Sequence, residues 1–502
     1  MSEKHVVVIG AGIAGLSAAS YLLRNGYRVT IVEQHTAPGG LCTSWNRNGY
    51  TIDYCVHWLM GSKAGTAMHS IWEELGAFNN KDGSRVPIVH FDEFSTIGLS
   101  DGSSICLYSD LEALKKELLR VGPEDKKEIE KLCITLKQLG ALTNNVRSSH
   151  VSFTEYLANG CSLVGQMIAM MRQLIPMGTY VQRFKNPSIR EMLLAEIPSD
   201  WSLIAFTMGL AQQHVKAAGY TIGGSLNMAM NIARVVEQLG GIFRYGTAVK
   251  TIRIRESSAT GVVLSDDTEI DADFVISAAD GHQTLYSMLE GKFIPRKFQK
   301  AFTDYPLFPS TIHIALGMDR NCSDIPHGFT PYFPDPIQLA DGTIVDRCLV
   351  NAYHYDPTLA PEGKTLLTVL INTWEGLFWS RMANERPHEY TTEKKRIAEE
   401  VIGRLEHILG NFSQHVEMID VSTPHSVIRY TGNWQGSFEG FAPTNVTLKT
   451  RLPKIIPNLH NFAMIGQWTA PGGGLPTAAK DGRDIAKHMC KSDGKVWTAV
   501  LR

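Results

Sequence analysis

Long apolar runs are missing: no stretch reaches the ~18 consecutive apolar residues that a spanning helix requires, so any membrane contact is expected to be peripheral. Cysteine pairs are missing too. The eight cysteines (Cys42, Cys55, Cys106, Cys133, Cys161, Cys322, Cys348, Cys490) form no C-x-x-C, which argues against a metal site or a disulfide framework and for free thiols in a reducing cytoplasm. Neither sign of charge is in excess: 48 Lys and Arg stand against 50 Asp and Glu, for a net charge of −2. Such a balance draws no polyanion, and nucleic acid is not expected as a partner. HExxH, GxSxG and the P-loop lysine motif are absent, so metal-dependent hydrolysis and serine hydrolysis have no support. Internal repeats and low-complexity linkers are lacking.

What is present is ordinary globular composition, 44% hydrophobic and 20% charged, over 502 residues, which is too long for a single core. The run HVVVIG is short, β-branched and continuously apolar, as a parallel strand covered on both faces should be. AGLSAASYLLRNG follows with helical spacing and stops at Gly26, and YRVTIVEQ reads as a second strand. The basic start and apolar run look superficially like an export signal, but the glycine spacing and the second strand point to a buried βα unit.

Gly10, Gly12 and Gly15 form G-x-G-x-x-G at the junction of the first strand and helix. Gly10 permits a tight turn, Gly12 lets the backbone approach a pyrophosphate, and Gly15 lets the helix pack closely on the strand. The helix N-terminus then directs amide donors at the phosphates. Glu33 ends the second strand eighteen residues after Gly15, where an acid accepts from an unphosphorylated ribose, which disfavours NADP.

The fingerprint alone does not separate NAD from FAD; two further stretches do. Pro38-Gly39-Gly40 is a glycine turn suited to passing close to a cofactor. Far along the chain, Gly466 follows the strand FAMI, and Gly472-Gly473-Gly474 precedes a helix near Pro476. A second helix N-terminus suits the negative charge of a reduced flavin ring and has no use in a nicotinamide enzyme.

Together GAGIAGLSAASYLLRNGYRVTIVEQ…PGG, the central GGSLNMAMNIARVVEQLGGIFRYGTAVKTI…ADFVISAADGH and the terminal IGQWTAPGGGLPTAAKDGRDIA resemble the phytoene desaturase family, which includes carotenoid isomerases and retinol saturases. The resemblance covers about half the chain and is vague across 65–210 and 300–440. It implies a non-covalent FAD and a lipophilic, usually polyene, substrate. It also implies FAD contacts at Gly10, Gly12, Ala14, Gly15, Glu33, Gln34, Gly39, Gly40, Leu41, Val249, Gly466, Gln467, Gly474, Leu475 and Pro476. Many members carry Arg after the paired glycines; here Leu41 stands there, followed by CTSW, which points to a divergent branch.

The expected fold is α/β: a Rossmann-like FAD-binding domain assembled from 1–64, 220–300 and 450–502, with an inserted mixed α+β substrate domain from 65–219 and 301–449. His57 and Trp58, in DYCVHWLMGS, are the catalytic candidates: His57 as proton donor or substrate-positioning group, or else as a hydrogen-bonded, partly buried histidine. Asp53 either orients His57 at i+4 or caps a turn. Trp374, Trp379, Trp434, Tyr353 and Phe441 line an apolar tunnel or belong to the core. The segment 163–177 (LVGQMIAMMRQLIPM) is apolar with a polar stripe at Gln166 and Gln173, and suits either a helix dipping into a bilayer surface or a buried one. The charged stretch 110–140 reads as a solvated helix.

The expected activity is desaturation, saturation or isomerisation of a polyene by hydride exchange at flavin N5, with the electron donor or acceptor open. Leu41 and a proton donor at His57 favour the last two, which start from reduced flavin. The alternatives are an amine oxidase, a polyunsaturated fatty acid double-bond isomerase, and a flavin-binding protein without turnover.

Overall fold

The computed structural model describes residues 3–143 and 168–500. A five-stranded parallel sheet forms one layer, in the order Ile242–Arg244, Arg28–Val32, His5–Ile9, Phe274–Ser277, Phe462–Met464. Its strands come from three separated stretches of chain. His5–Ile9 is central, and Val6, Val7 and Val8 are fully buried, which is why that strand reads as an unbroken apolar run rather than an alternating one.

The helix Ile13–Arg24 lies against the C-terminal helix Leu475–Ser492, closing the first and last parts of the chain on each other. Gly482 makes that approach possible: a Cβ there would lie 2.5 Å from both the Ala14 carbonyl oxygen and the Ala18 nitrogen. The Ser17 hydroxyl donates to the Ala479 carbonyl at 2.6 Å across the same contact.

The second layer is a seven-stranded mixed sheet in the order Val416–Ser422, Ser310–Met318, Thr365–Thr373, Leu349–Ala352, Gly328–Thr330, Glu93–Gly98, Ser104–Tyr108. One pair, Gly328–Thr330 with Glu93–Gly98, is parallel and the rest are antiparallel. Ser310–Met318 shows how the layers join. Its even-numbered residues Ile312, Ile314, Leu316 and Met318 pack with Ile397, Val401 and Leu405 of the helix Pro387–Leu409. Its odd-numbered residues turn toward the nucleotide-binding layer, where His313 meets Tyr54 and Ala315 joins the core around Tyr50.

The charged stretch 110–140 forms two helices, Leu111–Val121 and Lys126–Thr143, broken at Gly122 and Pro123. Leu114, Leu118, Ile129, Leu132, Leu136 and Leu139 are buried between them and their neighbours, so only the outer faces are solvated. Of the segment 163–177, residues 163–167, with Gln166, lie outside the described residues. In the remainder the expected polarity is inverted. Gln173 is buried and donates to the Ala169 carbonyl at 3.1 Å, while Ile168, Met170 and Met171 are exposed. No helix among the described residues is long and apolar enough to cross a membrane.

Candidate active site

The turn after the first strand is built for close approach. Gly10 has φ +94°, which only glycine adopts without strain, and a Cβ on Gly15 would lie 2.0 Å from the Gly10 carbonyl oxygen. Gly12 is the N-cap of Ile13–Arg24 and has no side chain to satisfy the first-turn amides, which leaves them to a ligand. The Pro38-Gly39-Gly40 turn is tied to this loop, Gly39 N–H donating to the Ala11 carbonyl at 2.9 Å.

Glu33 is buried at the end of its strand. One carboxylate oxygen accepts from the Ala11 amide at 2.7 Å and the other from the His35 amide at 2.8 Å. Burial raises its pKa, and these amides oppose the rise. Each oxygen keeps a lone pair for a ribose hydroxyl.

These groups open onto one cavity of about 650 Å³. Of the fifteen residues expected at the cofactor, thirteen are in its wall: Gly10, Gly12, Ala14, Glu33, Gln34, Gly39, Gly40, Leu41, Val249, Gly466, Gln467, Gly474 and Leu475. Gly15 sits behind Gly10, where the sequence pattern puts its packing role, and Pro476 is the second residue of the C-terminal helix. Gly474 caps that helix without a side-chain bond, so a second set of uncapped amides faces the same space. Two uncapped helix starts, a ribose acceptor and glycine-lined walls between them fit an extended dinucleotide carrying a flavin ring.

Beyond the nucleotide-like portion the wall carries Thr43, Trp45, Tyr54, Cys55 and Phe438. Tyr54 packs on Phe438, ring centroids 5.9 Å apart, and on His313 at 5.2 Å. Four carboxyl groups also reach the wall: Glu33, Asp280, Asp420 and Glu439. Asp280 accepts from the Gln283 amide at 2.7 Å and the Trp434 amide at 2.8 Å, and burial pushes it up to about 7. Asp420 accepts from Trp45 Nε1 at 2.9 Å and pairs with Arg47 at 3.1 Å. Sequence reasoning missed the last three acids. Each is recruited from a loop or strand distant in sequence; only the charge of Glu439 inside the aromatic stretch FEGF gave a local signal.

His57 and Trp58 are not in the cavity wall. His57 Nδ1 lies 3.2 Å from the Tyr353 hydroxyl, and burial lowers its pKa to about 4, so it is a neutral imidazole at neutral pH. Trp58 packs on Phe94 with centroids 6.5 Å apart. Asp53 takes up the turn role: it accepts from the Ser225 amide at 2.7 Å and the Ser225 hydroxyl at 3.1 Å. Tyr353, Trp379 and Phe441 are buried core, Trp434 stacks on His282 and Trp374 is exposed, and none of the five reaches the cavity.

A family model described as flavin containing amine oxidoreductase matches residues 13–490. The 4,4'-diaponeurosporene oxygenase of Staphylococcus haemolyticus is 25% identical, covering 99% of each chain. Prolycopene isomerase 2, chloroplastic, of an Oncidium hybrid cultivar is 26% identical over 98% of this chain and 84% of its own. A solved putrescine oxidase double mutant has the same fold, with a TM-score of 0.64 at 15% identity over 97% of this chain and 99% of that one.

Proposed function

Because the chain belongs to the flavin containing amine oxidoreductase family, with FAD as cofactor, we propose that it desaturates, saturates or isomerises double bonds of a lipophilic polyene. The observation that carries this reading is one continuous cavity. It runs from the N-terminal glycine turn to the start of the C-terminal helix and continues into an aromatic wall at Trp45, Tyr54 and Phe438. Relatives whose printed names concern diaponeurosporene and prolycopene align along nearly the whole chain, which supports a hydrocarbon substrate.

In this reading the amides at the start of Ile13–Arg24 hold the pyrophosphate and Glu33 the adenosine ribose. Gln34, Leu41 and Val249 flank the nucleotide; Gly466, Gln467 and the Gly474-Leu475-Pro476 helix start meet the ring. When bound, FAD supplies a carrier for a hydride, two electrons at a time. The protein's share is to align the polyene against Tyr54 and Phe438, exclude water and handle the accompanying proton. His57, neutral and outside the cavity wall, acts only through what it packs against, which removes one of the two reasons for favouring the reduced-flavin reactions.

The domain division that goes with this is a FAD-binding unit from 1–64, 220–300 and 450–502 and a substrate unit from 65–219 and 301–449. A water-insoluble substrate is best taken from a lipid surface, and exposed Ile168, Met170 and Met171 suit peripheral contact at the cytoplasmic side of a membrane.

The test is mass spectrometry of lipids extracted from the purified protein, followed by anaerobic incubation of the recovered class with oxidised and with reduced holoenzyme. A polyene that is carried and then altered supports the reading. Hydrogen peroxide released with primary amines, and no change in any polyene, would make the protein an amine oxidase.

A further inference from the structure

Of the four carboxyl groups in the cavity wall, three are already committed. Glu33 and Asp280 hold backbone amides, and Asp420 holds Trp45 and Arg47. The fourth, Glu439, is half-buried in the wall, with no hydrogen-bond donor and no cation beside it among the described residues, and removal from water raises its carboxyl.

Its position is equally specific. A Cβ on Gly473 would lie 2.8 Å from the Glu439 Cβ, and one on Gly474 would lie 4.0 Å from Glu439 Oε1. The carboxyl therefore stands beside the uncapped N-terminus of Leu475–Ser492, at the end of the cavity suited to a flavin ring. Phe438, Gln467, Leu475 and Cys55 share that part of the wall. Cys55, whose thiol feels the Glu439 charge, is itself held neutral by a hydrogen bond with Cys42 and by burial.

We propose that Glu439 is the group that exchanges a proton with substrate carbon in this cavity. The proposal rests on the polyene reading above and adds the residue that reading lacks. When a double bond forms, hydride leaves one carbon, with its two electrons, for the oxidant that the family's flavin supplies. The C–H bond on the adjacent carbon breaks, its proton goes to a Glu439 oxygen, and the electron pair left behind becomes the new π bond. When a double bond is removed, its π pair takes the proton from the same O–H at one carbon and the other carbon takes a hydride from the reductant that the family's reduced flavin supplies; when one is shifted, Glu439 gives a proton at one carbon and takes one from another. Burial pushes the carboxyl up to about 7, so both protonation states are populated near neutrality, as a two-way exchanger requires.

The test uses flavin-loaded full-length protein with Glu439→Gln and Glu439→Asp. In the infrared difference between wild type and Glu439→Gln, a protonated-carboxyl band should titrate away with a midpoint near 7. Thermal melts give an independent sign. The folded pKa lies above the unfolded one, so wild type should lose melting temperature relative to Glu439→Gln as pH rises from the ordinary glutamate range through about 7, and the gap should level off above it. Glu439→Gln should keep its flavin and lower polyene turnover by about 100-fold or more, and Glu439→Asp should recover part of the loss. Wild-type turnover in Glu439→Gln, or a band that titrates in the ordinary glutamate range, overturns the proposal. Failure of the polyene reading shows separately, as wild-type protein that alters no polyene.

Discussion

At the scale of single residues, the cofactor end of the site was legible because its requirements are local. The turn needs φ +94° at Gly10, and the helix–strand approach leaves no room for a side chain at Gly15. Such demands leave a fixed spacing in sequence. Gly12 is the sharpest check, because a Cβ there would meet little protein, 3.9 Å being its nearest approach, and would project toward the ligand. Gly12→Val should therefore fold but lose FAD, measured as flavin absorbance per protein after gel filtration; flavin retained at the wild-type ratio would place the pyrophosphate elsewhere. The other end was not legible. His57 follows the glycine turn closely in sequence, but beyond the hairpin formed by Ser44–Arg47 and Tyr50–Asp53 the chain carries its ring to Tyr353. Glu439 belongs to no motif, and only the fold brings it to Gly474.

At the scale of elements, the apolar pattern read well where one face or both faces are buried and misled where burial is inverted. His5–Ile9 and Ser310–Met318 are covered on both faces, and their runs of β-branched residues show it. The stripe at 163–177 misled because Gln173 satisfies itself by bonding the Ala169 carbonyl within its own helix turn, which lets it be buried while its methionine neighbours face out. Met170→Glu with Met171→Glu should weaken recovery of the protein with floated anionic liposomes and leave its melting temperature within a degree or so of wild type, since both side chains are exposed. Flotation unchanged by the pair would remove that surface from substrate delivery. The helix pair Ile13–Arg24 and Leu475–Ser492 makes a different prediction. Gly482→Val puts atoms where Ala14 and Ala18 backbone stands, at 2.5 Å, and should destabilise by about 1–3 kcal/mol or more, read as a lower denaturant midpoint. An unchanged midpoint would mean that the two helices separate without loss.

At the scale of the whole molecule, the chain closes one site from parts hundreds of residues apart. The parallel sheet takes strands from three stretches, and the last of them, Phe462–Met464, leads to the helix start that shares the cavity with Gly12. The general plan was readable because the last stretch carries the strand, glycine turn and helix of the first and the middle one ends on the strand VISAA; the strand order and the path of the mixed sheet were not, since they depend on pairings between distant residues such as Phe329 with Thr96. All of this stands on one cavity that brings FAD to a polyene. The most direct measurement is liquid chromatography with mass spectrometry of a polyene after anaerobic incubation with wild-type holoenzyme, in its oxidised and reduced forms, beside flavin-free Gly12→Val. Wild type should give a product two hydrogens lighter or heavier, or an isomer of the same mass, and the variant none. An unaltered polyene in both flavin states, with peroxide formed from a primary amine, would contradict it.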